Sequence, residues 1–166
     1  MATATLIPIA TQTLGSAAAS ITFSSIPGTY TDLRLVLNVA GYNQTASSNP
    51  VMQFNSDTAT NYSYTNLAGS GSAAATGAAT TTYIPIAAFS VGTAAQAYSY
   101  FIDIFSYAGS TNKTVLSQAA YDSNGAGYVE LIVGLWRSTS AITSITVKML
   151  SSTTFSTGTI ATLFGI

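Results

Sequence analysis

Residues 98–121 read YSYFIDIFSYAGSTNKTVLSQAAY, and the fold turns on how this stretch is read. Aromatic and branched residues dominate on both sides of the break at Gly109-Ser110-Thr111-Asn112, which predicts one strand from Tyr98 to Tyr107, a tight turn, and a return strand from Lys113 to Tyr121. The first strand is apolar on both faces. Tyr98, Tyr100, Ile102 and Ile104 lie on one side, Phe101, Phe105 and Tyr107 on the other, and Asp103 alone interrupts them. Such a strand is either central in a two-sheet core or has one side against a partner. Tyr98, Tyr100 and Asp103 are therefore candidate interface residues, with the Asp103 carboxylate expected at a strand or subunit boundary beside a cation or hydroxyls.

The same period of two recurs outward from this hairpin. Leu33, Leu35, Leu37 and Val39 give the segment 32–41 one wholly apolar face. Ile26-Pro27-Gly28-Thr29 marks a tight connection, so 18–26 and 32–41 are expected to pair as a hairpin. Tyr128 to Arg137 and Ile142 to Leu150 are expected to pair across Ser138–Ala141, with Val129, Leu131, Val133 and Leu135 in the core beside Ile145, Val147 and Met149. Trp136, the single tryptophan, then falls on the mixed face with Glu130, Ile132, Thr146 and Lys148, as a candidate interface anchor or a cap on the core edge. With 5–14, 50–56, 80–89 and 157–166 added, nine or ten strands and no helix are expected. The implied fold is all-β, an antiparallel β-sandwich or jelly roll in a single domain over 1–166. Ala68 to Thr82, AGSGSAAATGAATTT, has no large side chain to bury and reads as a surface loop, or as a loop packed closely on another subunit.

Composition removes many functions. The 166 residues contain no cysteine and no histidine, so disulfides, thiolate or imidazole metal sites and His-based acid–base chemistry are excluded. Charged residues make up 5%, where about 25% is usual. Neutral hydroxyls replace them: Ser and Thr number 48. The four cations Arg34, Lys113, Arg137 and Lys148 are scattered and the net charge is −1, which offers nucleic acid no footprint and leaves little repulsion between copies. No basic leader and no run of eighteen apolar residues is present, so no membrane partner is expected.

Sites for chemistry are weak. The five acids form no pattern of opposed carboxylates, so no catalytic residue is assigned. Asp122-Ser123-Asn124-Gly125 starts like a calcium loop but lacks the later ligands, and a polar turn explains it; no metal or cofactor is expected. Tyr42, Tyr62 and Tyr64 sit in loop-like surroundings and are the candidates for glycan contact.

Four elements carry a resemblance to a known family: the QTLGS…ITFSSIP.TYTDL start, FNSDTATNYSYTNL at 54–67, the GLW…AITSI segment, and the terminal GTIATLFGI. Together they resemble small virion proteins of tailed phages, of the kind found in cyanophages and marine phages. The resemblance implies a β-sandwich structural subunit of the particle, variously a capsid decoration, head fibre or tail protein, and brings no catalytic motif. The expectation is a non-enzymatic capsid decoration or cement protein on the outer surface of the virion. It would be a homo-oligomer, a trimer, whose partners are its own copies and the major capsid protein or other virion proteins. The alternatives are a tail or fibre component that adheres to host glycan, and a glycan-degrading sandwich domain.

Overall fold

The structure, a computed structural model, describes residues 6–43, 48–70, 74–88, 97–122 and 127–166. Its elements are β1 (Ile7–Thr13), β2 (Ser20–Phe23), β3 (Leu33–Val39), β4 (Tyr42–Asn43), β5 (Pro50–Phe54), β6 (Tyr62–Gly69), β7 (Ala74–Thr81), β8 (Ile84–Pro85), β9 (Tyr98–Phe105), β10 (Lys113–Tyr121), β11 (Tyr128–Trp136), β12 (Ile145–Met149), β13 (Thr154–Phe155) and β14 (Ile160–Gly165). No helix occurs among the described residues. The strands form an eight-stranded sheet in the order β1-β14-β3-β9-β10-β11-β6-β7, a four-stranded sheet β2-β12-β5-β8, and the small pair β13-β4. Every pairing is antiparallel. The strands outnumber the nine or ten expected because β4 and β13 carry too few residues to show a period, and β6 and β7, eight residues each, lie in stretches of small and polar residues that read as loop.

One hydrophobic cluster joins the two larger sheets. Leu33, Leu35 and Leu37 of β3, Ile102 and Ile104 of β9 and Leu163 of β14 share it with Ile21 and Phe23 of β2, Phe54 of β5 and Val147 of β12. The β9–β10 hairpin pairs as its sequence predicts, Phe105 opposite Thr114 and Ser99 opposite Ala120.

The other two expected hairpins do not form. β2 pairs with β12 in the smaller sheet, while β3 lies between β14 and β9 in the larger one. β11 lies between β10 and β6, and β12 between β2 and β5. Both connections cross from one sheet to the other. Each buries an isoleucine on the way, Ile26 and Ile142, and the Ile26 N–H donates to the Thr143 carbonyl at 3.0 Å, so the two crossings hold one another. The stretch 68–82 is not a loop throughout: β7 pairs with β6 from Tyr62 opposite Thr81 to Gly69 opposite Ala74. That strand is held by its backbone ladder, which needs no side-chain pattern. The strand expected over 80–89 reduces to the two residues of β8, and of the turn expected at Asp122–Gly125 residues 123–125 lie outside the described residues.

The orientation of β11 is the reverse of the expected one. Glu130, Ile132 and Trp136 are buried, whereas Val129, Leu131 and Val133 are exposed. Two contacts impose this. Trp136 Nε1 donates to Asp57 Oδ2 at 2.7 Å, with its ring 5.5 Å from that of Phe54 and stacked on Tyr62. At Gly134, on the same face, a Cβ would sit 2.5 Å from Ile84 Cγ2, so glycine lets the β8 segment approach.

Removing Trp136 should therefore cost more than removing Leu131. We expect Trp136→Ala to lower folding stability by about 3–5 kcal/mol. Leu131→Ala, at a position 42% exposed, should change it by about 1 kcal/mol or less. Denaturant unfolding of the two variants checks the order.

Candidate functional site

The outward side of the eight-stranded sheet is apolar. Alternation along β11 turns Val129, Leu131, Val133 and Leu135 away from the core, and the register sets these beside outward residues of neighbouring strands. One row runs Leu67, Leu131, Gln118, Phe101, Val36 across β6, β11, β10, β9 and β3. The next runs Thr65, Val133, Leu116, Asp103, Arg34, Phe164, reaching β14. Val129 is 65% exposed and Leu67 56%. Six strands about 4.8 Å apart and four outward residues per strand span roughly 25 by 20 Å. Within that area Leu67, Phe101, Val129, Leu131 and Val133 are exposed, interspersed with Thr65, Gln118 and the Arg34–Asp103 pair. Toward one end the face dips into an open hollow of ≈ 580 Å³ walled by Leu67, Phe101, Val129 and Leu131 and floored in part by Ala120.

One ion pair interrupts the face. Arg34 grips Asp103 bidentately, Nε to Oδ1 at 2.6 Å and Nη2 to Oδ2 at 2.9 Å, from directly opposite positions on β3 and β9. The carboxylate holds the guanidinium pKa above its usual value. Asp103 thus lies inside β9 rather than at its boundary, neutralised by a cation of the neighbouring strand. Both of its oxygens accept from the guanidinium.

The remaining candidate residues lie elsewhere. Trp136 is 2% exposed, and Tyr98 and Tyr100 are buried in the same cluster, so none of the three can anchor a partner. Tyr42 and Tyr62 are buried too, which removes them from glycan contact. Their hydroxyls serve the core: Tyr42 and Tyr100 share a hydrogen bond of 2.8 Å, and Tyr62 Oη accepts from the Phe54 N–H at 3.0 Å. Tyr64 is half-buried and, by alternation, on the same side of β6 as Tyr62. The three tyrosines sit in β4 and β6, not in loops. The residues that sequence reasoning missed are Leu67, Val129, Leu131 and Val133. The signal was present, since β11 is as apolar on both sides as β9, but its core face was misassigned.

The inward side carries polar groups that are all bonded. Glu130 accepts from Asn66 Nδ2 at 3.1 Å and from the Ala88 N–H at 2.9 Å, and Ser117 Oγ donates to the Ile86 carbonyl at 2.8 Å. Lys113, fully buried, donates from Nζ to the carbonyls of Gly109, Thr111 and Ser138. Among the described residues no group of three His, Cys, Asp or Glu side chains could hold a metal ion.

Two outcomes follow. Arg34→Leu should lower stability by about 1–3 kcal/mol because it strands the Asp103 carboxylate. The double variant Arg34→Leu/Asp103→Leu should recover most of that loss, as a double-mutant cycle by denaturant unfolding would show. Burial also raises the phenol pKa values of Tyr42, Tyr62 and Tyr100, that of Tyr62 to about 12. The folded form then holds these protons more tightly than the unfolded chain, whose phenols titrate near 10. The stability so contributed is complete below pH of about 10 and lost as the pH rises beyond it. Phenolate absorbance should show these three ionising only together with alkaline unfolding.

No protein-family model matches the chain, and no curated protein and no solved structure matches it either.

Proposed function

We propose that the chain is a non-enzymatic structural subunit of a tailed-phage virion, a decoration or cement protein on the outer shell, whose two large sheets form a jelly-roll-like sandwich. The observation that carries this reading is the outward face of the eight-stranded sheet. It presents Leu67, Phe101, Val129, Leu131 and Val133 to solvent from a sheet whose other side is packed. Such a surface, without net charge, suits burial against other protein rather than turnover of a substrate. The low charge supports the same reading, because an assembled subunit does not need charge to keep its copies apart. So does the resemblance of residues 54–67 and of both ends of the chain to small virion proteins.

Copy number in purified particles tests the reading. A shell position repeated by symmetry gives hundreds of copies, a tail position a few dozen at most, and absence from particles removes the virion role. Attachment through this face should persist in about 1 M sodium chloride, since there is little Coulombic attraction to screen. Leu131→Asp should leave the subunit folded and abolish its incorporation, because it buries an unpaired carboxylate in the assembled interface. Particles that incorporate the variant normally would place the contact elsewhere.

A further inference from the structure

Among the described residues, three of the four edges of the two larger sheets are blunted, and one is not. At the β1 edge, Pro8 and a register shift between Pro8 and Ala10 break the ladder. β2 has only four residues, and the Thr22 carbonyl accepts from Gln12 Nε2 at 2.6 Å. β8 has two residues, one of them Pro85. β7 runs eight residues, AATGAATT, without proline, charge or register shift, paired to β6 on one side and last in its sheet on the other. A long, neutral, regular edge offers its free backbone groups to another strand, and isolated proteins avoid such edges.

We infer that β7 pairs antiparallel with β7 of a second copy, joining two eight-stranded sheets into one continuous sheet about a twofold axis near Gly77 and Ala78. The strand is complementary to itself. Centred on Ala78, the register sets Thr76 opposite Thr80 of the second copy; centred on Gly77, it sets Thr76 opposite Ala78. Neither register brings two charges, or any side chain larger than threonine, across the seam. The interface is isologous and closes at two copies, which a trimer built on this edge would not do. With a net charge of −1 per chain, nothing at long range opposes the meeting. β6, which carries Leu67, lies next to β7 in both copies, so the two apolar faces become one surface divided only by alanine and threonine.

This inference deepens the structural-subunit reading, and the two can fail separately. Light scattering of the purified chain at about 10 μM should give twice the 17.0 kDa mass of one chain. Ala78→Lys sets like charges beside each other at the seam and should weaken the dimer about 100-fold. Ala78→Thr, neutral and suited to a strand, should keep it. Hydrogen exchange on the unmodified chain provides a check that needs no variant: the alternate amides of β7 that point away from β6 should be protected at high concentration and exposed on dilution, while those of β10 stay protected throughout. A monomer, a trimer, or a dimer that Ala78→Lys leaves intact overturns the pairing. A monomer present in hundreds of copies per particle would remove the pairing and keep the virion role. A solution dimer absent from particles would do the reverse.

Discussion

The hydrogen bond from Trp136 to Asp57 decides which way β11 faces, and through strand alternation that orientation decides which side of the whole large sheet meets water. Asp57 can accept it because the turn after β5 is itself tied down. Asn55 and Ser56 take left-handed backbone angles, and the Asp57 carboxylate also accepts from the Ala59 N–H and from Asn61 Nδ2. Those bonds, with that of Trp136 the strongest, hold its pKa below the usual carboxylate value. A slip of one residue in β11 would turn Trp136 out, set Leu135 against this turn, and replace Gly134 with a side chain where Ile84 packs.

Polarity alone misleads here because the rule that hides apolar groups and exposes polar ones is broken at several positions of this sheet. Glu130, Ser117, Asn66 and Lys113 are inside, each supplied with partners, while Val129, Leu131 and Val133 are outside. A bonded polar group costs little to bury. An exposed valine costs little as long as a partner covers it, and that cover is what the sequence of one chain does not display.

The strands themselves were legible where side chains alternate: β3, β9, β10, β12 and β14 all stand where their period of two places them. Their pairing was less so. Short connections favour hairpins, yet Ile26 and Ile142 take the chain across the core instead, and their mutual support through Thr143 is a contact between residues more than a hundred positions apart. β7 left no trace in the sequence because its residues are small on both faces. A neutralising cation beside Asp103 was legible, since an acid within an apolar strand has few other tolerable surroundings, although the residue lies inside β9 and not at its boundary. Tyr42 and Tyr62 were misplaced for the opposite reason: nearby Ser, Thr and Asn look like loop, although each ring is buried and its hydroxyl is bonded inside.

The position of β14 also bears on when the subunit can form. β1 has one neighbour in its sheet, β14, and β14 lies between β1 and β3. Residues 7–13 are synthesised long before residues 160–165, so β1 waits unpaired while the residues between them are made. Contacts of such long range form late and slowly. An interrupted translation product would leave both β1 and β3 with open edges and the core without Leu163. Completion of the large sheet thus depends on the last strand to emerge, β14.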